Sequence, residues 1–297
     1  MRLAAHAFAG LPKHLFPGTA AQLRIRLILT NVDNAPDNRP TADAPVLRTF
    51  GWNNVFCATM GPDTCALISP QTRSALIVVS KRMLDFPYHL RYELLEFVVF
   101  MLAARNRNLV SLHSACIALN GRGLLLLGDR GAGKSTTGLA CLIDGFEFVA
   151  EDGIVVCPTT LLTSGLSSFL HLRADSLHFF QALKPLRGIL KSPTIVRRSG
   201  VEKIELDMRR TGIRLARSSV KIRAVAFLSA ANTGKSSLVT PLSPKRSRAE
   251  LNKTQPYASG LPGWQSFARR ISSVPAYAVL RGNRPQDVVA ALRRILA

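Results

Sequence analysis

The chain has few cysteines, and their arrangement carries little chemistry. Five cysteines among 297 residues are an odd number at irregular spacings, with no Cys-x-x-Cys pair and no cysteine–histidine cluster. This pattern argues against a disulfide framework and a zinc site, and it favours a reducing compartment. The hydrophobic share of 47% still indicates an ordinary globular protein with a buried core. The cysteines are Cys57, Cys65, Cys116, Cys141 and Cys157.

Long apolar runs are also lacking. The longest block, FVVFMLAA at 97–104, is far shorter than the about 20 residues with which a helix crosses a bilayer. The amino-terminal stretch is interrupted by His6, Lys13 and His14 and does not look like a secretion signal. We therefore expect a cytoplasmic protein with no membrane span, in which residues 97–104 belong to a buried helix.

Acidic residues are scarce, since 18 Asp and Glu stand against 39 Lys and Arg and give a net charge of +21. Residues 181–297 hold most of the excess, with 23 basic and 5 acidic side chains. Such a field attracts an acidic partner (a peptide, nucleic acid or nucleotide phosphates), although a solvated basic face explains it equally well. Because no helix-turn-helix, zinc finger or aromatic RNA-binding strand is recognisable, nucleic acid is not the expected partner.

The first hundred residues predict a mixed arrangement of strands and a helix. Short β-type runs lie at 23–29 and 74–80, and a turn-rich stretch at 33–45 separates them. Residues 87–107 have near-helical apolar spacing and end in basic residues, which suit the C-terminus of a helix. These patterns predict a small α+β region.

We place a domain boundary at residue 108. The region 1–108 is a candidate for substrate recognition, and the second domain is expected at 109–297. That domain opens with a strand candidate at 108–119, followed by Asn-Gly in the turn 120–123 and a run of four leucines. Asn-Gly between two apolar runs is a strong hairpin signal.

Later elements of the second domain are a predicted strand at 220–229 and a predicted helix at 284–296. The sequence NTGKSS at 232–237 looks like part of a phosphate loop. A true loop would need a glycine where Ser229 stands. We therefore expect a surface turn there.

A better phosphate-binding loop follows the leucine run. Residues 128–135 satisfy G-x-x-x-x-G-K-[ST] between an apolar strand and a helix-forming segment, the context that this motif needs. The glycines let backbone N–H groups face phosphate oxygens, Lys134 would pair with the β- and γ-phosphates, and the Ser135 hydroxyl would hold Mg²⁺. The motif predicts ATP and Mg²⁺ as cofactors. The expected nucleotide-binding residues are Gly128, Asp129, Arg130, Gly131, Ala132, Gly133, Lys134, Ser135 and Thr136.

Two adjacent carboxylates, Glu151 and Asp152, follow after one short helix and one strand. A helix of about ten residues leads roughly 15 Å away from the loop, and a strand of five residues returns about 16 Å. The pair is therefore expected beside the γ-phosphate. Two duties suit this place, binding Mg²⁺ and accepting the proton of an attacking hydroxyl, and adjacent strand residues that point opposite ways would allow one of each. A solvated strand end is the alternative.

The block 112–156 resembles the C-terminal catalytic domain of HPr kinase/phosphorylase. It is more similar to HPr-kinase-like serine kinases encoded beside ribosomal peptides, which include lasso-peptide precursor kinases. The block has that family's histidine strand, glycine turn, phosphate loop, helix and acidic pair in order. The resemblance implies an α/β fold: a P-loop kinase domain of the HPr kinase C-terminal or PEP-carboxykinase-like type, preceded by a smaller mixed α+β region.

The resemblance also implies roles for individual residues. His113 matches a histidine near the active site, Ser135 matches the hydroxyl that binds Mg²⁺, and Glu151 with Asp152 matches an Asp-Asp pair. The implied catalytic residues are thus Asp152, Glu151, His113 and Lys134, with Ser135 and Glu151 at the metal. Since a histidine on an apolar strand is as often a packed core residue, both roles stay open for His113, and Glu151 leaves open which acid is the base.

Further matches are less specific. The tail 274–296 is similar to the ending of these kinases, and Arg173 and Lys203 match basic residues that follow the acidic pair. Thr136 stands where authentic HPr kinases have glutamate. The region after residue 200 has no clear match to the signature used for dephosphorylation. The resemblance therefore does not extend to phosphorylase activity or to HPr as substrate.

The leading hypothesis is an ATP-dependent serine kinase that transfers phosphate directly to an acidic or serine-containing peptide or small protein, with a lasso-type precursor peptide as one candidate. One alternative is an ATPase or switch module with water as acceptor. Another is a non-catalytic nucleotide-binding protein that recruits an acidic partner. The sequence leaves open the acceptor, the choice between ATP and GTP, and whether the chain forms a homo-oligomer.

Overall fold

The computed structural model describes residues 2–8, 23–31, 44–180, 192–232 and 238–297. It mixes helices and strands, and the chain divides into two compact units, one ending at Leu109 and one starting at Val110. Most of the predicted turn region 33–45 lies outside the described residues, as does NTGKSS after its first residue. Within the described ranges, no helix is both long and apolar enough to cross a membrane.

The first unit is built on a five-stranded sheet. Its strands are β1 (Arg24–Thr30), β2 (Leu47–Trp52), β3 (Val55–Met60), β4 (Cys65–Ser69) and β5 (Ser74–Ser80). Their spatial order is β1-β5-β4-β3-β2, in which β1 runs parallel to β5 and the other neighbours are antiparallel. The two predicted strand runs, 23–29 and 74–80, are confirmed as β1 and β5.

One face of this sheet packs against helical residues. The first helix of the unit is α1 (Arg2–Phe8). The helical segment predicted at 87–107 follows β5 and consists of α2 (Pro87–His89), a π-helical stretch (Leu90–Leu95) and α3 (Glu96–Arg107). Leu94, Val98 and Leu102 are fully buried and share a core with Ile68 and Ile77 of the sheet. The π-helical stretch was not predicted, because the apolar spacing of the sequence does not distinguish one widened turn from regular α-helix.

The second unit is built on a larger sheet. Its strands are β6 (Val110–Leu112), β7 (Ala115–Leu119), β8 (Arg122–Leu127), β9 (Glu147–Ala150), β10 (Ile154–Val156), β11 (Leu162–Gly165), β15 (Val220–Asn232), β16 (Val239–Leu242) and β17 (Ala276–Arg281). The path β6-β10-β11-β15-β8-β7-β9 is extended by β17, which pairs with both β15 and β16. β8, β15 and β17 are parallel, whereas β7 and β9 continue the path as antiparallel strands.

Both faces of this sheet are buried. Leu124 and Leu126 belong to a core with α4 (Lys134–Ile143) and α7 (Val289–Leu296), and Leu125 and Leu127 belong to a second core with α5 (Pro244–Thr254) and α6 (Trp264–Ile271). Two buried faces explain why residues 124–127 are uniformly apolar. The predicted C-terminal helix is confirmed over α7, but it opens with a 3₁₀ turn at Pro285–Val288.

The predicted hairpin is confirmed, and the predicted strand before it is not. Asn120 and Gly121 both have positive φ, 52° and 73°, as a type I′ turn between β7 and β8 requires. The strand predicted at 108–119 is interrupted at His113 and Ser114, which separate β6 from β7. Leu112 pairs with Ile154 and Cys116 with Ala150, so the interruption faces the residues between β9 and β10.

A small third sheet completes the second unit. Its strands β12 (Phe169–Leu172), β13 (Thr194–Val196) and β14 (Glu202–Asp207) run antiparallel in the order β12-β14-β13. His171 is paired directly with Glu205 across β12 and β14. The turn from β13 to β14 is closed by a hydrogen bond from the Arg197 N–H to the Val201 carbonyl, at 3.0 Å. Four residues of this sheet and its turn, His171, Arg197, Lys203 and Glu205, belong to the candidate site.

Candidate active site

The phosphate-loop segment forms a tight turn between β8 and α4. Gly128 has φ 148°, and a Cβ atom at this position would lie 2.5 Å from the carbonyl oxygen of Leu228, so no larger residue fits without a backbone shift. Gly133, with φ 91°, immediately precedes α4. The unpaired N–H groups of the first helical turn therefore border the loop, the arrangement that binds anions.

Lys134 folds back over this loop. Its Nζ donates to the carbonyl oxygens of Gly128, at 2.8 Å, and Asp129, at 3.2 Å. Burial lowers the pKa of Lys134, and the carboxylates of Asp152 and Glu151 oppose that shift. The amine is thus held by the loop carbonyls and is under the electrostatic influence of the acidic pair.

The two acids lie beside the loop, next to the first turn of α4. The Ser135 hydroxyl donates to Glu151, which is almost fully buried. Asp152 accepts from Nη2 of Arg197 at 2.6 Å and lies 3.8 Å from Nε2 of His113. The loop, the acids and His113 are therefore brought together in space.

The expectation that the two acids point in opposite directions is wrong. Ligand atoms of Glu151, Asp152 and His171 all lie within 4.8 Å of one another. The physical reason is that β9 ends at Ala150, so residues 151 and 152 form a bend to which the alternation of a strand does not apply. Both carboxylates can therefore face one bound ion.

Asp152 is held ionised by its surroundings. Burial would raise the pKa of Asp152, but the nearby His113 and Arg197 outweigh it and keep the pKa well below its usual range. Asp152 is therefore a carboxylate at neutral pH, a hydrogen-bond acceptor and a potential metal ligand.

Behind Glu151 lies a buried chain of ionisable groups. Nδ1 of His171 is 3.3 Å from Glu151 Oε2, and Nε2 is 3.6 Å from Glu205 Oε2. All three side chains are at least nine-tenths buried. Burial alone would lower the pKa of His171, but the interactions with Glu151 and Glu205 raise it. The imidazolium, with both ring nitrogens donating, is the form that satisfies the two carboxylates.

His113 lies in the interruption between β6 and β7 and is not packed in the core, since its side chain is 53% exposed. Its backbone is held by the side chain of Gln255. The His113 N–H donates to Gln255 Oε1 at 3.0 Å, and Gln255 Nε2 donates to the His113 carbonyl oxygen at 3.0 Å. The buried Gln255 thereby replaces backbone partners that the interrupted strand has lost.

Of the two basic residues that the resemblance suggested, the structure places only Lys203 at the site. Burial lowers the pKa of Lys203, and the nearby Glu151 and Asp152 oppose the shift. Arg173 is 60% exposed and pairs with Asp175 instead. The loop residue Arg130 donates to Ser199 at 2.6 Å and so links the loop to the β13–β14 turn.

Three side chains of this site were missed or misjudged from the sequence. His171 and Glu205 are single polar residues in short strands, and no local motif marks them. Arg197 is one of the 23 basic residues of the region 181–297, and no motif distinguishes it from the others. A signal was nevertheless present, because a histidine and a glutamate between apolar neighbours in strand-like runs are costly to bury without partners.

Comparisons with known proteins add little to this geometry. No protein-family model matches the chain, and no curated protein matches it. Among solved structures, the HPr(Ser) kinase/phosphatase from Coxiella burnetii matches at 10% sequence identity over 63% of this chain and 93% of that chain. The TM-score of 0.30 is too low to carry an argument.

Proposed function

We propose that the chain is an ATP-dependent serine kinase that phosphorylates a peptide or small protein. The observation that carries this proposal is the meeting of Lys134 and Ser135 of the phosphate loop with Glu151 and Asp152. A phosphate cradle alone would bind a nucleotide. An ionised acid beside the cradle adds a group that can orient an acceptor hydroxyl, which phosphoryl transfer requires.

The nucleotide would be held mainly by the loop. Backbone N–H groups of residues 128–136 and the first turn of α4 would face its phosphates, and Lys134 would exchange its contacts with Gly128 and Asp129 for phosphate oxygens. Thr136 is directed elsewhere, since its hydroxyl donates to Ser176 at 3.2 Å. Burial of Lys134 strengthens its attraction to phosphate because the local dielectric is low.

The donor set fits Mg²⁺. Oxygen ligands are available from the Ser135 hydroxyl and from the Glu151 and Asp152 carboxylates, the chemistry that this hard cation prefers. His171 is a poor candidate ligand because both of its ring nitrogens already face carboxylates, Nδ1 at 3.3 Å from Glu151 and Nε2 at 3.6 Å from Glu205. When bound, Mg²⁺ would neutralise charge on the phosphates.

Transfer requires an acceptor for the hydroxyl proton. The serine oxygen forms a bond to the γ-phosphorus, the bond between that phosphorus and the bridging oxygen breaks, and the proton passes to Asp152, with His113 beside it at 3.8 Å. Arg197 holds Asp152 ionised before transfer and places a positive charge next to the reacting groups.

The test is incubation of the chain with γ-labelled ATP, Mg²⁺ and a panel of serine-containing peptides that includes acidic sequences. Label on a peptide serine supports the kinase proposal. Label released only as inorganic phosphate would instead show an ATPase. ATP binding without any transfer or hydrolysis would indicate a nucleotide-binding protein that recruits its partner. GTP in parallel defines the nucleotide preference.

A further inference from the structure

The sheet of the first unit has one covered face and one open face. Side chains alternate between the faces of a strand, and Ala66, Ile68, Ala75 and Ile77 lie on the face that packs against the helical segment. The side chains between them point to the other face. We call this other face, formed by the outward residues of β1 to β5, the open face.

The open face is apolar and strongly exposed. Trp52 is 80% exposed and Phe50 is 61% exposed, and they are joined by Leu67, Val55 and Ile28, all of which are also exposed. Isolated exposed apolar residues need no explanation, but a contiguous group on one sheet face marks a binding surface.

The strand register shows how this face is arranged. Two rows cross the sheet from β2 to β1: Phe50, Cys57, Leu67, Leu76, Arg26, and next to it Arg48, Thr59, Cys65, Val78, Ile28. Arginine stands on both edge strands, and the strands between them carry small or apolar side chains. Each row thus ends in one arginine, at opposite edges of the sheet, and its other side chains are small or apolar.

The charged side chains on the five strands are all positive. The five strands contain three arginines, Arg24, Arg26 and Arg48, and all three lie on the open face by register. No strand of this sheet contains Asp or Glu. A complementary surface must therefore present apolar groups flanked by carboxylates.

We propose that the open face binds an acidic amphipathic helix of a partner protein or peptide. Resting on the proposed function, this partner is the substrate that the chain phosphorylates. Five strands about 4.8 Å apart span about 19 Å. A helix about 10 Å in diameter would cover the three central strands and leave its flanking carboxylates within reach of Arg26 and Arg48.

Two other occupants fit the face less well. A second copy of the chain would set these arginines against identical arginines, with no carboxylate on the strands to compensate. A single-stranded nucleic acid needs aromatic platforms along its path, whereas Phe50 and Trp52 are both on β2 and the other four strands place no aromatic side chain on the open face.

The protein carries its own reporter for this face. It has two tryptophans, of which Trp52 is exposed on the open face and Trp264 is 4% exposed in the core of the second unit. The probe is a synthetic amphipathic helix with leucines on one face, glutamates on both flanks and no tryptophan. Titration of the full chain with it should shift Trp52 emission to the blue, and the shift should be absent from Trp52→Phe.

Variants then test the charge and the apolar centre. Two variants should each weaken binding of a fluorescein-labelled probe by about tenfold or more. One is the double variant Arg26→Glu, Arg48→Glu, and the other is the single variant Leu67→Glu. Arg248→Glu, an exposed arginine on α5, makes the same charge change elsewhere and should leave binding within about twofold. A twin probe with lysine flanks should not bind. Lys134→Ala should bind the probe like wild type, so a failure of the kinase proposal is distinguishable from a failure here.

Three results would overturn the proposal. The first is equal binding of the glutamate and lysine probes, or binding of neither. The second is a concentration-dependent dimer in sedimentation that Leu67→Glu abolishes, which would assign the face to a second copy. The third is tighter binding of random single-stranded RNA than of the acidic probe, lost in the double arginine variant. Melting temperatures near the wild-type value verify that the variants are folded.

Discussion

The phosphate loop and the small sheet β12–β14 supply the two halves of the candidate site in opposite ways. The loop is one run of residues, 128–136, in which turn, charge and hydroxyl follow one another along the chain. The small sheet contributes His171, Arg197 and Glu205 from three separate segments, and it meets Glu151 and Asp152 only after folding. A site formed by contiguous residues can be recognised from a sequence motif, whereas a site assembled from separate segments depends on long-range strand pairing.

The largest expected effect concerns the loop. Lys134→Ala should abolish both the stabilisation of the protein by ATP with Mg²⁺ and any phosphate transfer, because the lysine is the loop's charge for the phosphates. At ATP near 100 times its dissociation constant, wild type should gain about 2.7 kcal/mol of unfolding free energy. Thermal melts with and without ATP measure this.

The matched control is Lys253→Ala, which removes a lysine 3.7 Å from Asp129 on the outside of the loop. Its ATP response should equal that of wild type, because this exposed pair is screened by solvent. A wild-type protein whose melting temperature ignores saturating ATP would remove the basis of the kinase proposal.

The assembled half should be most sensitive at His171. His171→Ala would leave Glu151 and Glu205 buried without their shared donor, and breaking such a buried pair costs about 3–5 kcal/mol. Urea unfolding measures the loss. If the variant is as stable as wild type, the three groups do not form the charged chain described above.

The pH dependence gives a second measure of the same group. Because the pKa of His171 is raised in the folded protein, its protonated form contributes stability that is fully present below its unfolded pKa, about 6.5, and is lost as pH rises through the folded value. The stability difference between wild type and His171→Gln should therefore shrink above about pH 6.5. A difference that grows with pH would contradict the assignment.

The sequence predicted the loop, its helix, the return strand and the hairpin before it because each is encoded by neighbours: Gly133 before α4, Asn120 and Gly121 between β7 and β8. The break at His113 could not be predicted, since a strand tolerates single polar residues such as His113 and Ser114 and the residue that bonds the broken backbone, Gln255, is distant in the chain. Long-range partners of this kind leave no local signal.

The phosphate loop and the small sheet β12–β14 both contact the acidic pair, and Asp152→Asn tests the role of that pair. The variant should bind ATP within several-fold of wild type and transfer phosphate about 100-fold more slowly, the scale of lost general-base catalysis. Asp175→Asn, the same change at an exposed acid paired with Arg173, is the control and should transfer normally. Normal turnover in Asp152→Asn would show that the Asp152 carboxylate takes no part in transfer.

Glu151→Gln should behave differently, as a metal-site lesion. Its carboxylate contacts Ser135 and the buried His171, so we expect a lower affinity for Mg²⁺ and an activity that higher Mg²⁺ partly restores. Isothermal titration of Mn²⁺, which reports the metal without turnover, measures the loss of affinity directly. Affinity for Mn²⁺ equal to that of wild type would leave the metal to Ser135 and Asp152.

The smallest expected effect separates placed charges from solvated ones. Lys245 and Arg246 are exposed in the first turn of α5, where the positive end of the helix dipole disfavours cations. Lys245→Gln with Arg246→Gln should therefore raise stability slightly, by about 0.5 kcal/mol, and leave ATP binding unchanged.

Arg197→Gln, which removes the partner of Asp152, should by contrast impair transfer. The measurement is a peptide Michaelis constant at low and physiological salt for both variants. A several-fold rise for the α5 variant that vanishes at high salt would show that these cations attract the substrate, because only exposed charges are screened in this way. An unchanged constant for the α5 variant would assign Lys245 and Arg246 to a solvated surface.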